Sequence, residues 1–343
     1  MLLRRFNSFI LQTYSQLLDF ITAHQIHKIA ILCDERVWHL YPDYFNFLNE
    51  VAEVHYISIE ATEKNKDIES VVFGWNFLLE QQFDRNSLLM NWGGGTICDI
   101  GGMIAATFKR GIRLVNIPTT LLSMIDAAHG GKNGINLQYQ KNVIGTFYLP
   151  EKVIVDTAFL KTLPKKELLN GFAELIKYAL IGNKILWEEL KQLTKINCKT
   201  IKQQWIDDTI AFKMKLVEED LYDKGARQIL NFGHTVGHAI ERLYAEKKRT
   251  ISHGYAVAMG ICYESYLSYK QGNLTINDCK EIQQFILRFF KPLHFTESDI
   301  TALTNYCFDD KKNIKGDLGF IFLSETGKVS KSIINDEILK TNN

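Results

Sequence analysis

The chain has 343 residues, 46% apolar and 23% charged, with a formal net charge of +1. Those proportions exclude a largely disordered chain, and near-neutrality excludes a global field for capturing nucleic acid, so any anion site must be built locally. At this length two domains are the default expectation.

The first 24 residues begin with a basic pair, but Asn7, Ser8, Gln12 and Ser15 interrupt the apolar run. The segment fits neither a signal-peptide core nor a membrane span of roughly 20 residues, and it reads as an amphipathic helix. Further on, HKIAILCDE (27–35), VAEVHYISI (51–59), SLLMNWGGG (87–95), IRLVNIPTT (112–120) and KVIVDT (152–157) have the texture of buried strands. Between them, segments such as IESVVFGWNFLLEQQ (68–82) carry a helical period. Strands separated by helices predict a parallel sheet with helices on both faces. After about Leu160 the text turns helical through residue 290, and strand-like sequence returns only in GDLGFIFLSETGKVS (316–330). The expected fold class is therefore α/β: a Rossmann-like nucleotide-binding domain over 1–160, then a mainly α-helical domain over 161–343, with the site in the cleft between them. Cys33, Cys98, Cys198, Cys262, Cys279 and Cys307 are scattered without a CxxC pair, as expected of reduced thiols in a cytoplasmic protein.

Three patterns carry chemistry. Gly93, Gly94 and Gly95 follow a predicted strand and precede a predicted helix, so a pyrophosphate could approach the backbone and the helix N–H groups. The GxGxxG spacing is missing, and a tight turn without a ligand explains the glycines equally well. In the helical half, His234 and His238 lie four apart on one helix face, and His253 opens the next helix. Glu174 and Lys177 lie three apart on an otherwise apolar helix, which marks either an internal ion pair or a site. Two histidines and a glutamate make an open zinc site, although each histidine also reads as a hydrogen-bonded core residue. Finally, Lys109-Arg110, Lys132, Lys141-Asn142, Lys213, Arg227 and Lys311-Lys312 stand at helix ends or loops beside glycines. Singly these are solvated surface charges; together they suggest a small anionic, phosphorylated substrate. The residues alone lead to a metal- and nucleotide-using enzyme acting on a small anion.

An ordered series of motifs takes the reading further: GGGTICDIGG, ATFKRG, IPTTLLSMIDAAHGGKNGIN, KNVIGTFY, VDTAFLKTLP, GFAELIKY, KGARQILNFGHTVGHAIE, SHGYAVAMG and DDKKN. From about Asp34 to Lys312 the chain resembles the 3-dehydroquinate synthases. The resemblance implies a carbon–oxygen lyase of the shikimate pathway with catalytic NAD, which eliminates phosphate from a seven-carbon keto-acid sugar and closes it into a ring. It implies zinc, or cobalt with the same ligands, on Glu174, His234 and His253. NAD is expected on Gly93–Gly95 with Asp99, Thr119 and Thr120 nearby, and with Asp34, Glu63 and Lys66 at its adenosine end. Substrate phosphate is expected at Arg110, Lys141, Asn142, His238 and Lys311 or Lys312. The substrate carboxylate is expected at Lys132, Lys213 and Arg227, and the reacting hydroxyls at Asp126, Lys177 and Asn231. The family chemistry needs no extra base, because the substrate's own phosphate takes the proton that precedes its departure. A homodimer is implied, and neither nucleic acid nor membrane is an expected partner.

The chain departs from the family pattern at Cys98, Ala127, Ala128, His129, Asn133 and Tyr255. None of these carries an expected chemical role. The nearest rival is another sugar phosphate cyclase, of epi-valiolone or deoxy-inosose type. Its substrate lacks a carboxylate, which the presence of both Lys213 and Arg227 argues against. A metal-dependent polyol dehydrogenase would have no use for so many anion-binding cations. A scaffold that had lost activity would not have kept Asp126, Glu174, Lys177 and His234.

Overall fold

Six parallel strands form the main sheet, in the order β1 (Ile10–Leu11), β8 (Lys152–Ile154), β5 (Arg113–Pro118), β4 (Leu88–Gly93), β2 (Lys28–Asp34) and β3 (Glu53–Ile59). The computed structural model describes residues 10–11, 14–138, 140–310 and 318–334. The sheet belongs to the first of two units, Met1–Leu163 with Lys213–Tyr222; the second comprises Pro164–Phe212 and Asp223–Asn343. Ile29 to Cys33 of β2 and Leu88 to Met90 of β4 are fully buried. This explains their unbroken apolar text: strands covered on both faces show no alternation, and each such side chain gains about 1.5–3 kcal/mol on burial.

Helices α1 (Tyr14–Ala23), α2 (Glu35–Leu40), α3 (Ile68–Glu80) and α4 (Gly95–Thr107) connect these strands. From β2 the chain steps outward to β3, then returns past β2 to β4, so the winding direction reverses between β2 and β4. Open α/β sheets bind ligands at the carboxyl ends of the strands flanking such a reversal. Asp34 ends β2 and Gly93 ends β4.

Two parts of this unit differ from the sequence expectation. The N-terminal text is not one unbroken helix: Ile10 and Leu11 pair with Val153 and Ile154 as an edge strand, and a helix spans Tyr14–Ala23, while residues 1–9, 12 and 13 lie outside the described residues. An exposed sheet edge gains ladder hydrogen bonds from such an addition. An antiparallel hairpin, β6 (Lys132–Leu137) with β7 (Gln140–Phe147), occupies text with no alternating apolar signal.

The second unit contains α5 (Lys165–Gly182), α6 (Lys184–Lys191), α8 (His234–Glu246), α9 (His253–Lys270), α10 (Ile276–Leu287), α11 (Glu297–Asp310) and a terminal hairpin, β9 (Leu318–Glu325) with β10 (Lys328–Ile334). The remaining helix, α7 (Gln203–Glu219), changes unit between Phe212 and Lys213. Among the described residues no helix is long and apolar enough to cross a membrane, and no disulfide joins the six cysteines.

Candidate active site

In the first unit, the glycine turn is shaped by close approach. A Cβ on Gly93 would lie 2.5 Å from Ile97 Cγ1, one on Gly94 3.1 Å from Thr120 Cγ2, and one on Gly95 3.2 Å from Ala127 Cβ. Gly94 caps α4 without a side chain, so the opening N–H groups of a 13-residue helix face outward from the strand end, where an anion is favoured. Thr119 donates its N–H to Gly93 O at 2.9 Å, tying β5 to this turn. The hydroxyls of Thr120 and Ser123 lie 2.9 Å apart.

A polar chain runs beside the turn. Lys66, buried, places Nζ 2.5 Å from Asp99 Oδ2 and donates to Asn142 Oδ1 at 2.5 Å. Asn142, at φ 52°, donates its N–H to Asn136 Oδ1, and Asn136 in turn donates to Glu63 Oε1 at 2.8 Å. Burial pushes the Asp99 carboxyl up, and the Lys66 ammonium opposes that shift. Asp34 accepts from the backbone N–H of Arg36 at 3.1 Å and pairs with its guanidinium at 2.8 Å, which caps α2.

Asp126 sits in a π-helical turn, Ser123–Ala127, a local widening common at functional sites. Lys213 Nζ bonds both its carboxylate and, at 2.5 Å, its carbonyl. Lys213 is buried, so losing the Asp126 carboxylate would remove a charge partner from a desolvated cation. Next to this pair His129 is 1% exposed: Nε2 lies 2.8 Å from Met124 O, and Nδ1 has no hydrogen-bond partner among the described residues. Burial first, and the charge of Lys213 second, lower its pKa to about 4. Arg110 follows Lys109 on an exposed turn where both have positive φ, and Lys132 and Lys141 are also exposed. Lys141 Nζ lies 4.0 Å from Glu63 Oε1. Lys311 and Lys312 lie outside the described residues.

In the second unit, α5, α8 and α9 bring Glu174, His234 and His253 together. Glu174 is fully buried, and both imidazole Nε2 atoms stand 3.3 Å from its Oε1. Lys177, one helical turn on, stands 2.6 Å from Oε2. Neither carboxylate oxygen has a hydrogen-bond partner of acceptable direction among the described residues. The donor atoms lie within 4.8 Å of one another, and one carboxylate with two imidazoles is a zinc-type donor set. The residues therefore fit a divalent metal. Burial alone would raise the Glu174 carboxyl, but Lys177 and His234 hold it well below the usual carboxylate range. Burial and then Lys177 lower His234 to about 4, which leaves an imidazole with a free lone pair. Burial also acts to lower His253, but Glu174 and Glu241 overcome it and raise that ring to about 10.

His238 extends the cluster, its ring 5.4 Å from that of His234. Arg227 is buried and shares a 3-10 turn, Ala226–Asn231, with Asn231. Sequence reading missed Glu241 and Glu264. Glu241 carried a usable signal, since it continues the face of His234 and His238 at the i, i+4, i+7 spacing. Glu264 is an acid within the apolar run of α9. Of the departures, Tyr255 lines a cavity of about 490 Å³ with Tyr244, Ile251 and Phe290, and its hydroxyl bonds Lys291 O.

A doubly wound parallel sheet with an open glycine turn, together with a helical unit bearing a Glu–His–His triad, defines the class: a two-unit α/β protein equipped for a nucleotide and a metal. Comparison with known proteins makes this specific. The family model for the 3-dehydroquinate synthase N-terminal region matches residues 56–170, and that for its C-terminal region matches 171–313. A 3-dehydroquinate synthase of Parabacteroides distasonis is 38% identical over 337 residues, covering 95% of this chain and 94% of its own. Among solved structures, a 2-epi-5-epi-valiolone synthase of Streptomyces hygroscopicus with NAD+ and Zn2+ bound has a TM-score of 0.84 at 24% identity, covering 97% of this chain and 94% of its own. A 2-deoxy-scyllo-inosose synthase complexed with carbaglucose-6-phosphate, NAD+ and Co2+ has a TM-score of 0.83, with the same identity and coverage. The chain belongs to the 3-dehydroquinate synthase family.

Proposed function

We infer that the chain converts 3-deoxy-D-arabino-heptulosonate 7-phosphate to 3-dehydroquinate and phosphate, as a lyase of the shikimate pathway in the cytoplasm. The observation that carries this reading is the convergence of Glu174, His234 and His253 beside Lys177, in a chain matched along its length by this family. Residues 1–160 serve as the NAD-binding domain and 161–343 as the metal- and substrate-binding domain, in a homodimer.

Glu174, His234 and His253 hold a divalent metal, zinc or cobalt. Gly93 to Gly95, Asp99, Thr119 and Thr120 cradle NAD, with Asp34, Glu63 and Lys66 towards its adenosine end. When bound, NAD supplies a two-electron acceptor and the metal supplies Lewis acidity towards paired hydroxyls. The chain's own residues bind, orient and neutralise. Lys177, already paired with a carboxylate, contributes a fixed positive charge where a hydroxyl loses its proton. Asp126 and Asn231 orient the reacting hydroxyls, and Asp126 at the same time fixes Lys213. Lys132, Lys213 and Arg227 receive the substrate carboxylate. Arg110, Lys141, Asn142, His238, Lys311 and Lys312 receive the phosphate. Buried cations such as Lys213 and Arg227 serve this purpose because an anion arriving there meets charges already desolvated and held in place.

The test is phosphate release from the heptulosonate phosphate with NAD and zinc, with the product identified by mass. Stoichiometric phosphate and dehydroquinate without net NADH is the expected result. Turnover of sedoheptulose 7-phosphate or glucose 6-phosphate in its place would assign the chain to another cyclase. Accumulating NADH would mean a dehydrogenase.

A further inference from the structure

Helices α8 and α9 cross very closely, and glycines allow it. A Cβ on Gly260 of α9 would lie 2.0 Å from Gly233 O, and one on Gly237 of α8 would lie 3.3 Å from Val257 Cα. Gly233, with φ 79°, precedes α8 and has no side chain with which to cap it. The cap comes from α9: the carboxylate of Glu264, fully buried, accepts from Gly233 N at 2.7 Å and from Val236 N at 3.2 Å. His234 lies between those two residues. In the opposite direction, Glu241 of α8 places Oε2 3.2 Å from Nδ1 of His253, the first residue of α9. Each helix therefore begins with one histidine of the triad and carries the carboxylate that holds the start of the other. His234 Nδ1 is satisfied in parallel by Phe232 O at 3.2 Å. Both rings thus use Nδ1 for an outer contact and turn Nε2 towards Glu174.

We propose that Glu241 and Glu264 are positioning residues for the divalent metal: Glu241 orients the His253 ring and reserves its Nε2 for the ion, and Glu264 fixes the first turn of α8 that presents His234. An outer acceptor on a ligating histidine fixes its tautomer and orientation, and losing one typically weakens metal binding about 10- to 100-fold. This inference rests on the metal reading of the triad. The same region offers one competing geometry, because His238, Glu241 and His253 also have donor atoms within 4.8 Å of one another. In that case Glu241 would bind the ion itself.

The experiment measures Zn2+ affinity by competition with a fluorescent chelator for the wild type and for Glu241→Ala, Glu241→Gln and His234→Ala. It adds the melting temperature of each metal-free protein and the absorption spectrum of each Co2+ form. Glu241→Ala is expected to lose about 10- to 100-fold in affinity, with the wild-type Co2+ band pattern and an unlowered metal-free melting temperature. Glu241→Gln keeps an oxygen that accepts from Nδ1–H and should recover most of the loss. The proposal is overturned if Glu241→Ala binds Zn2+ like wild type, if its loss merely tracks a lower metal-free melting temperature, or if its Co2+ spectrum shows a missing ligand. Should Glu241→Ala fail to fold, nitrogen-15 NMR of zinc-loaded wild type decides. Metal on His253 Nε2 with a proton on Nδ1 supports the proposal, and metal on Nδ1 overturns it. A wild type that binds neither Zn2+ nor Co2+, or a His234→Ala variant that binds as tightly as wild type, would instead defeat the underlying metal reading.

Discussion

Replacing His129 with valine should flatten the acid limb of the chain's stability curve. In the folded protein this ring is buried and the Lys213 ammonium is nearby, so its pKa falls to about 4. In the unfolded chain it returns to about 6.5. Because the folded-state value is the lower one, the unfolded chain takes up the proton first as pH falls. Stability is therefore fully present above about pH 6.5 and declines as pH drops towards 4. Two and a half units at 1.36 kcal/mol each give a total of about 3 kcal/mol, of which about 2 kcal/mol is lost between pH 7.5 and pH 5.

Valine also removes the contact with Met124 O, worth about 1 kcal/mol, but it relieves a buried nitrogen without a partner among the described residues. The two proteins should therefore differ by no more than about 1 kcal/mol at pH 7.5. Urea unfolding of the metal-free proteins at pH 7.5, 6 and 5 measures the comparison. His234 is present in both, so its own acid response cancels in the difference. Wild type should lose about 2 kcal/mol more than His129→Val between the extremes. Parallel pH curves would refute the reasoning and would mean that acid opens this part of the first unit before the unfolded chain gains its proton advantage.

His234→Ala should abolish Zn2+ binding and turnover together, measured by chelator competition and phosphate release; retained zinc with full activity would remove this residue from the ligand set. Arg227→Met should raise KM for the carboxylated substrate at least tenfold while leaving NAD affinity within about twofold, since one charge-assisted bond is worth about 1.5–3 kcal/mol. Unchanged substrate kinetics in that variant would count against a role for the guanidinium at the carboxylate.

Much of this was legible because the sequence reports local periods. Strands β2, β4 and β5 are buried on both faces, so they appear as unbroken apolar runs, and the glycines at the end of β4 mark the turn where backbone must approach closely. The spacing of His234 and His238 displays one helix face. What could not be read locally depends on partners far along the chain. The β6–β7 hairpin pairs mixed residues, from Lys132 opposite Phe147 to Ile135 opposite Ile144, and its text lacks a sustained alternation that signals a strand. Lys66 finds Asn142 across 76 positions, and Gly254 donates to Asn170 across 84. No sequence period announces either meeting.

The departures from the family pattern follow the same division. Asn133 donates to Gly131 O and Tyr148 O and occupies the space above Gly102, where a Cβ would lie 1.8 Å from its Oδ1. Cys98 is buried against Ala128 and Val153. These side chains, like His129, satisfy or strain the wall behind the glycine turn, while Lys213 and Asp126 keep their pairing. Substitutions in such a wall alter volume and hydrogen bonding without moving a charge, so they act on stability and loop position before they act on the type of anion accepted. Under the function proposed above, carboxylate specificity would rest on the buried cations Lys213 and Arg227, and altering it would require changing a charge there.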